Sequence, residues 1–454
     1  MRLTNNLSES QVIKIWQHQL LGRTDLTTEE GEPIRIIYPG RINDDRGADL
    51  LDAVIITSQG LAQGDIEVHV KSSDWQAHRH HQDPTYNRVI LHVVMWHHTE
   101  VATNLQNGER VPTLALHKYI KNPASQTNNL VYSPVTSNIP CHQAIERLAP
   151  SIAAKLLDSA GKERFLAKAV KFQAELAQME ASQSLYQGIM GALGYSKNKL
   201  PFLELARRVP LQFLESLTQC KNSDEEYLAR QQALLLGTAG LLPSQRPNWR
   251  QKNRIDGKWI EKLEMLWISS QQTEVISQNN WHLFKVRPNN FPVRRIVAMT
   301  HLNLRYREKG IFKEIVTKIR EVSVSQGHHE LERMLLITTS GYWASHFDFG
   351  SGSRLRAPTL LGSRRASDIV VNVLLPFAFA WGKSTSQLKL AQKALDLYCS
   401  YPRLAANTIE RHMRNQLGLS SNLVNSAQRQ QGLIHLYNRL CSQGKCHHCP
   451  LFRE

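Results

Sequence analysis

The first quarter of the chain has the pattern of one amphipathic helix followed by four short apolar runs. A helix is predicted to begin at Ser8, whose partner Gln11 completes a capping box, and to end at Gly22. Its apolar side chains recur every three or four residues, at Val12, Ile15, Trp16 and Leu20. The runs that follow have the length and composition of strands: residues 33–38, 50–57, 64–72 and 88–96. This order predicts a compact α+β unit within residues 1–120.

The rest of the chain has mainly helical periodicity. Residues 112–140 are rich in Ser, Thr, Asn and Pro, and we interpret 121–145 as a connector. Residues 153–193 lack proline and are rich in helix formers, which predicts one or two long helices. Further helices are predicted at 226–241, 260–272, 293–306, 312–324, 387–397 and 404–417, and a hairpin or long loop at 337–362. The expected fold class is α+β: an N-terminal α/β module over 1–120, then a larger mostly α-helical region over 146–454 with a cysteine-rich tail.

The charge balance indicates a class of partner. The 454 residues carry a formal net charge of +16 at pH 7, with an isoelectric point near 9.6. A positive field of this size attracts polyanions, so DNA or RNA is the expected partner, with an anionic membrane or an acidic protein as alternatives. The N-terminus lacks the apolar run of a signal peptide, and the longest apolar stretch, residues 369–381, is too short to span a bilayer. We therefore expect a cytoplasmic protein without a membrane partner.

Candidate chemistry is concentrated on the alternating segment 64–72. Because side chains in a strand alternate between two faces, Glu67, His69 and Lys71 share one face, and Ile66, Val68 and Val70 share the other. Asp49 precedes the neighbouring strand and approaches Glu67 if the two strands pair. Two carboxylates on adjacent strands are a typical site for Mg²⁺ or Mn²⁺, and a nearby Lys or His can orient or deprotonate water. The alternative is a solvent-facing strand of ion pairs without catalysis.

These residues resemble the PD-(D/E)XK nuclease superfamily, whose core runs helix–strand–strand–strand with Asp on one strand and Glu-x-Lys on the next. The resemblance implies a restriction-endonuclease-like module in which Asp49 and Glu67 hold the metal. His69 stands where the superfamily has Lys, and Lys71 comes one pleat later.

A histidine-rich segment follows this strand. Seven of the 19 histidines lie within residues 69–98. Imidazole is the commonest transition-metal ligand and transfers protons near neutral pH. His78 and His80, with Asp83 nearby, are candidates for completing a metal site or for general acid–base catalysis. We expect His97 and His98 to be surface residues, and leave the role of His92 open.

Nearly the whole chain also resembles an uncharacterised bacterial family, domain of unknown function 2851. The stretches that carry this resemblance are 47–50, 64–75, His78-x-His80-x-x-Asp83-x-x-Tyr86, 90–94, 287–292, Asn372-x-x-x-Pro376-Phe377 and 431–434. The resemblance implies membership and no particular activity.

Three of the six cysteines, Cys441, Cys446 and Cys449, fall within nine residues at the C-terminus. In a reducing compartment such spacing favours metal ligation over disulfides. A zinc ion needs a fourth ligand, which His447, His448, Cys141 or Cys399 has to supply, and an iron–sulfur cluster accepts three thiolates plus a distant cysteine. The alternative is three reduced thiols on a tail.

Cations and aromatics alternate near residue 250, a composition that suits contact with phosphates and bases. The candidate residues are Arg246, Trp249, Arg250, Lys252 and Arg254. Arg294–Arg295 and Arg364–Arg365 are further candidates.

Three functional hypotheses follow from these observations. The first is a metal-dependent nuclease that uses Asp49 and Glu67 as metal ligands and His69 or Lys71 to position water. The second is a non-catalytic nucleic-acid-binding or scaffold protein. The third is a hydrolase that acts on another substrate through the histidine-rich segment.

Overall fold

The computed structural model describes residues 7–17, 21, 25–120, 141, 148–217, 223–246, 257–270, 274–350 and 358–451. The chain divides into two compact units. Unit 1 comprises residues 1–161, 406–425 and 429–454, and unit 2 comprises residues 162–405 and 426–428.

Unit 1 is built on a seven-stranded mixed sheet. Its strands are β1 Leu26–Thr27, β2 Pro33–Tyr38, β3 Arg41–Ile42, β4 Leu50–Thr57, β5 Gly60–Lys71, β6 Val89–Trp96 and β9 Thr113–Ala115, and β7 Thr103–Asn104 with β8 Arg110–Val111 forms a separate two-stranded ribbon. The order across the sheet is β1-β2-β4-β5-β6-β9, with β3 paired to β4. Strands β1 to β5 pair antiparallel, whereas β5, β6 and β9 run parallel. The short helix α2, Asp74–Ala77, lies in the connection between the parallel strands β5 and β6.

Helix α1, Glu9–Gln17, contributes to the core of this sheet. Val12, Ile15 and Trp16 are buried, and the Trp16 indole donates to the Pro39 carbonyl at 2.9 Å. Half of the predicted capping box forms, since the Gln11 side chain accepts the Ser8 N–H at 2.8 Å. The predicted helix end at Gly22 lies outside the described residues.

The close pairing of β5 and β6 requires a glycine. A Cβ on Gly64 would lie 2.4 Å from the Arg88 carbonyl oxygen and 2.4 Å from Ile90 Cγ2. No side chain fits there without moving the backbone, so Gly64 allows β6 to come alongside the strand that carries Glu67 and His69.

The predicted domain boundaries need a correction, because the C-terminal residues belong to unit 1 and not to the helical region. Helices α16, Thr408–Leu417, and α17, Ala427–Arg439, share an apolar cluster with strands β2 and β4. Tyr38 and Val54 from the strands and Leu433 and Tyr437 from α17 are buried in it. The apolar faces of these two helices are buried on the sheet, which spacing along the chain does not reveal.

Unit 2 is mostly helical, as predicted. Helix α3, Pro150–Leu176, extends into it from unit 1, and the following helices are α4 Ala181–Leu193, α5 Lys199–Arg208, α6 Leu211–Ser216, α7 Asp224–Thr238, α8 Lys258–Ser269, α9 Pro292–Arg305, α10 Ile311–Glu321, α11 Gly327–Leu335, α12 Tyr342–Ser345, α13 Ser363–Ile369, α14 Leu375–Ser384 and α15 Leu388–Cys399. Within the predicted hairpin or loop 337–362, β10 Ile337–Thr338 pairs antiparallel with β11 Thr359–Leu361, and residues 351–357 lie outside the described part of the chain. None of the helices in the described part of the chain has the length and apolar character needed to cross a membrane.

Helices α13 and α14 are joined by a π-helical turn, Val370–Leu374. Pro376 has no N–H and its ring would clash with the carbonyl of residue 372, so an α-helical register cannot continue there. The wider turn frees Asn372 to donate its side-chain amide to the Asp368 carbonyl at 2.8 Å and to accept from Lys168. The Asn372-x-x-x-Pro376 spacing is therefore a structural feature of unit 2.

Candidate metal centre

Strand β5 forms the base of the candidate site in unit 1. Its side chains alternate as predicted, with Ile66 and Val68 in the apolar core and Glu67 and His69 on the opposite face. The second face is not open to solvent, since Glu67 and His69 are 5% and 1% exposed. The alternative of a solvent-facing row of ion pairs is therefore wrong for these two residues, and their burial requires specific polar partners.

Asp49 and Glu67 hold each other in place through the backbone. The Asp49 N–H donates to Glu67 Oε2 at 3.1 Å, and the Val68 N–H donates to Asp49 Oδ2 at 3.1 Å. Strands β4 and β5 pair antiparallel with Leu50 opposite Ile66, which puts Asp49 beside Glu67. The pairing thus brings the two carboxylates together, as the sequence predicts.

Three histidines gather beside Glu67. One ring nitrogen from each of His69, His78 and His80 lies within 4.8 Å of the other two. His69 Nε2 is 3.2 Å from His78 Nδ1, and Glu67 Oε1 is 3.2 Å from His80 Nε2 and 3.5 Å from His69 Nε2. Among the described residues no other group of three histidine, cysteine or acidic side chains has its donor atoms this close.

The segment between β5 and β6 places His78 and His80. His78 follows α2 and is exposed, whereas His80 is buried between the Trp75 and Tyr86 rings, whose centroids lie 5.3 and 4.0 Å from its own. Arg79 between them adopts a left-handed φ of 61°, which turns the chain between the two histidines. Solvent therefore reaches the cluster on the His78 side.

A chain of hydrogen bonds fixes the His69 ring on the side that faces away from His78. His69 Nδ1 is 2.9 Å from His92 Nε2, and His92 Nδ1 is 3.0 Å from Thr103 Oγ1. A neutral imidazole has one N–H, so one consistent arrangement has His69 donate to His92 and His92 donate to Thr103. His69 Nε2 then presents its lone pair to His78 and Glu67, as a metal ligand must.

Burial controls the protonation of the cluster. Desolvation lowers the pKa of His69 to about 2 and that of His92 to about 3, so both rings are neutral. Desolvation raises the pKa of Asp49 to about 7, with the Glu67 charge as the next cause, and raises the pKa of Glu67 to about 8. The neutral rings of His69 and His92 thus lie near two carboxyl groups whose charged forms are disfavoured by burial.

The cluster fits a bound metal ion by its chemistry. His80 is 8% exposed, and its Nε2 lies 3.2 Å from Glu67 Oε1 without forming a well-directed hydrogen bond. A cation among these imidazole and carboxylate donors would satisfy the buried nitrogen more fully than this contact does. His69, His78 and His80 could hold it, with Glu67 as a further ligand.

Other predicted residues lie elsewhere. Lys71 ends β5 and is exposed, and its N–H donates to Asp74. Arg246 is buried in unit 2, where its guanidinium forms two hydrogen bonds to the Asp348 carboxylate at 2.9 and 3.0 Å. Arg294 and Arg295 are also buried and donate to backbone carbonyls. These three arginines therefore do not form a surface for nucleic acid, which corrects the prediction made from the sequence. Their guanidinium groups bind backbone carbonyls and the Asp348 carboxylate inside the fold.

The remaining predicted nucleic-acid contacts, Trp249, Arg250, Lys252 and Arg254, lie outside the described residues. Arg364 is exposed and stays a candidate.

Sequence reasoning missed two contributors to the site. Glu9 at the start of α1 raises the pKa of both Asp49 and Glu67 through its charge, after burial. Thr103 comes from the short ribbon strand β7, which no periodic pattern marked. Nothing in the linear sequence places Thr103 beside the histidine of β6, because β7 pairs with β8.

The predicted metal ligands at the C-terminus form a second cluster in unit 1. Cys441, Cys446 and Cys449 lie on two tight turns after α17, and Cys141 is buried in the same apolar cluster as Cys441 and Cys449. Cys399 belongs to unit 2.

Comparison with known proteins identifies the family. No curated protein and no solved structure matches the chain. The sequence profile of the family described as "Protein of unknown function (DUF2851)" matches residues 9–405, which include strand β5 and all three histidines. The chain therefore belongs to this family.

Proposed function

We propose that the protein is a metal-dependent hydrolase that cleaves phosphodiester bonds of nucleic acid. The observation that carries the proposal is the convergence of His69, His78 and His80 beside Glu67, with one donor atom of each histidine within 4.8 Å of the others. The histidine-rich segment and the Asp…Glu-x-His strand, two separate features of the sequence, thus contribute to one site.

The donor set favours some metals over others. Imidazole suits Zn²⁺ and Fe²⁺, whereas Mg²⁺ and Mn²⁺ prefer oxygen ligands. The three histidines therefore favour Zn²⁺ or Fe²⁺ over the Mg²⁺ or Mn²⁺ expected from the sequence. When bound, such a cation would stabilise negative charge on the phosphodiester and lower the pKa of water.

The residues around the cluster have separate tasks in this proposal. His92 and Thr103 fix the orientation of the His69 ring. The Asp49 N–H binds Glu67 Oε2, which directs Glu67 Oε1 to the histidines. Asp49 Oδ2 accepts the Val68 N–H, so Oδ1 is the atom that would take a proton from attacking water. A carboxyl whose pKa lies near 7 is suited to that transfer at neutral pH.

Two observations support a nucleic-acid substrate. Helix α1 and the antiparallel strands β2, β4 and β5 follow in the helix–strand–strand–strand order implied by the PD-(D/E)XK resemblance, with Asp49 at the start of β4 and Glu67 on β5. The net charge of +16 favours a polyanion over a neutral substrate.

The decisive experiment measures cleavage of labelled single- and double-stranded DNA and RNA with Mn²⁺, Mg²⁺ or Zn²⁺. We expect metal-dependent cleavage by the wild type, lost at least 100-fold in Glu67→Gln and His78→Ala. His78 is exposed, so its removal should leave the fold intact. His98→Ala is the matched control, because His98 is another exposed histidine of unit 1.

Two results would contradict the proposal. Equal cleavage by the wild type and both site variants would place the activity elsewhere or in a contaminant. Salt-sensitive binding of nucleic acid with no turnover under any metal would favour the non-catalytic binding protein instead.

A further inference from the structure

Four cysteines come together in unit 1, one of them far along the chain from the other three. Cys141, Cys441 and Cys449 are 7%, 6% and 8% exposed and lie in one apolar cluster, and Cys446 is half-buried. About 300 residues separate Cys141 from the other three. No disulfide joins any two of them.

The backbone between the three C-terminal cysteines is tightly turned. Cys441 begins one 3₁₀ turn and Cys446 begins the next, and the Cys449 N–H donates to the Cys446 carbonyl at 2.9 Å. Gly444 between them has φ of +64°, and a Cβ there would lie 2.8 Å from Val54 Cγ1 of β4. The segment is thus packed against the sheet and is not a free tail.

The surroundings supply a donor to sulfur. The buried Gln416 amide on α16 donates to Cys141 Sγ at 3.0 Å, and Cys441 Sγ lies 3.9 Å from Met413 Sδ on the same helix. An N–H directed at a cysteine sulfur stabilises a thiolate, and hydrogen bonds to ligand sulfurs are a common feature of iron–sulfur sites.

The thiols also lie within electrostatic reach of one another. Burial raises the pKa of Cys441 well above its usual value, and the neighbouring Cys141, Cys449 and Cys446 raise it further. Burial raises the pKa of Cys446 to about 11, with Cys141 and Cys449 as further causes. Cys446 lies between Cys441 and Cys449 on the same two turns, and Cys141 shares their apolar cluster, so the four form one group.

We infer that Cys141, Cys441, Cys446 and Cys449 are the four ligands of an iron–sulfur cluster. The site is separate from the histidine centre and does not depend on the proposed hydrolysis. Among the candidates for the fourth ligand, the structure brings Cys141 to the other three, whereas Cys399 belongs to unit 2.

The spacing of the sulfurs argues for a cluster over a single zinc ion. A tetrahedral zinc site with Zn–S bonds of ~2.3 Å holds its sulfurs roughly 3.8 Å apart. Among the described residues the four cysteine sulfurs do not form a tight donor group of the kind that His69, His78 and His80 form. Wider spacing suits a cluster, in which the thiolates bind separate iron atoms.

The cluster would join distant parts of unit 1. Its ligands come from residue 141, which follows the N-terminal sheet, and from the turns after α17. Because a metal centre of this kind exists only in the folded chain, its binding free energy contributes to folding. The inferred role is structural, with the C-terminal segment fixed on the sheet.

The test begins with full-length wild-type protein purified without oxygen. We expect stoichiometric iron and acid-labile sulfide, and a broad visible absorption band that bleaches on reduction. Cys141→Ser should lower the iron content at least tenfold. Cys399→Ser is the matched control, as it removes a cysteine of the other unit and should keep the full content.

A second measurement does not depend on variants that fold. Alkylation of the native wild type, read by mass spectrometry, should spare the four ligands and label them after the cluster is removed by oxidation and chelation. Stoichiometric zinc in place of iron, or no metal at all, would overturn the cluster. Full iron content in Cys141→Ser would overturn the ligand set.

Discussion

His92 Nε2 lies 2.9 Å from His69 Nδ1, and the opposite nitrogen of His69 faces His78. His92 lies outside the group of His69, His78 and His80, so we expect its effect on a metal bound there to come through the orientation of the His69 ring. Partners of this kind typically affect metal affinity by 10- to 100-fold. We therefore expect His92→Phe, which keeps an aromatic ring but no hydrogen bond, to weaken Mn²⁺ or Zn²⁺ binding by about that factor.

Calorimetric titration of the metal-free protein measures this effect. His117→Phe is the control, because His117 bonds the Met95 carbonyl at the other end of β6 and does not reach the cluster. Unchanged affinity in His92→Phe, with the fold intact by circular dichroism, would show that His69 needs no orienting partner.

The next prediction concerns whether Lys71 or His69 of β5 is needed for metal binding and cleavage. The superfamily resemblance puts the catalytic cation at the position of His69, and Lys71 is the nearest lysine. Lys71 is exposed at the end of the strand, whereas His69 is buried in the cluster. We expect Lys71→Met to change metal affinity less than twofold and cleavage less than tenfold, and His69→Asn to abolish both.

The comparison uses the same titration and cleavage assays for the two variants. A loss in Lys71→Met as large as that in His69→Asn would mean that the lysine moves into the site when substrate binds.

His412 should make unit 1 sensitive to acid. Burial and, next, the Arg41 charge lower the pKa of His412 to about 4, and the Tyr38 hydroxyl lies against its Nε2. In the unfolded chain a histidine titrates near 6.5. The unfolded state therefore binds the proton more tightly, and stability present above pH ~6.5 is lost as the pH falls towards 4.

The free energy of unfolding lost through His412 should be about 1–3 kcal/mol. This is less than the whole pKa difference would give, because the side chain is only half-buried. His412→Gln retains a polar side chain without a titrating ring. The melting temperatures of the two proteins should converge between pH 7 and pH 4. Parallel curves across that range would show that His412 does not contribute.

The sequence predicted the first helix and the four longest strands of the N-terminal sheet from their apolar patterns, but not the short strands β1, β3 and β9. It also predicted the Asp49–Glu67 pair, since antiparallel neighbours place these residues opposite each other. The position of His78 and His80 against His69 was not predictable in detail. It depends on the left-handed turn at Arg79 and on the packing of Trp75, which no linear pattern encodes.

The placement of the C-terminal helices on the sheet was missed for a related reason. An amphipathic helix shows that it has a partner, but its sequence does not say which surface that is. Likewise, the basic composition around residue 246 did not distinguish a cation that binds solvent-borne phosphate from one that pairs inside the fold. Asp348, 102 residues away, is the partner of Arg246.

The last prediction concerns the contribution of the Arg246–Asp348 pair to the stability of unit 2. Arg246 and Asp348 are 4% and 5% exposed, and the guanidinium binds both carboxylate oxygens. Arg246→Ala leaves the Asp348 carboxylate buried without this cation, which typically costs about 3–5 kcal/mol. Arg246→Lys keeps the charge but loses the two-point geometry, so it should also destabilise unit 2.

Denaturation by urea, followed by circular dichroism, measures these changes. Arg364→Ala removes an exposed arginine of the same unit and should stay within about 0.5 kcal/mol of the wild type. The double variant Arg246→Met with Asp348→Leu should recover much of the loss, because an apolar pair of similar volume needs no counter-charge. If Arg246 instead served nucleic acid directly, Arg246→Lys would keep both stability and affinity, and Arg246→Ala would weaken binding without changing the urea midpoint.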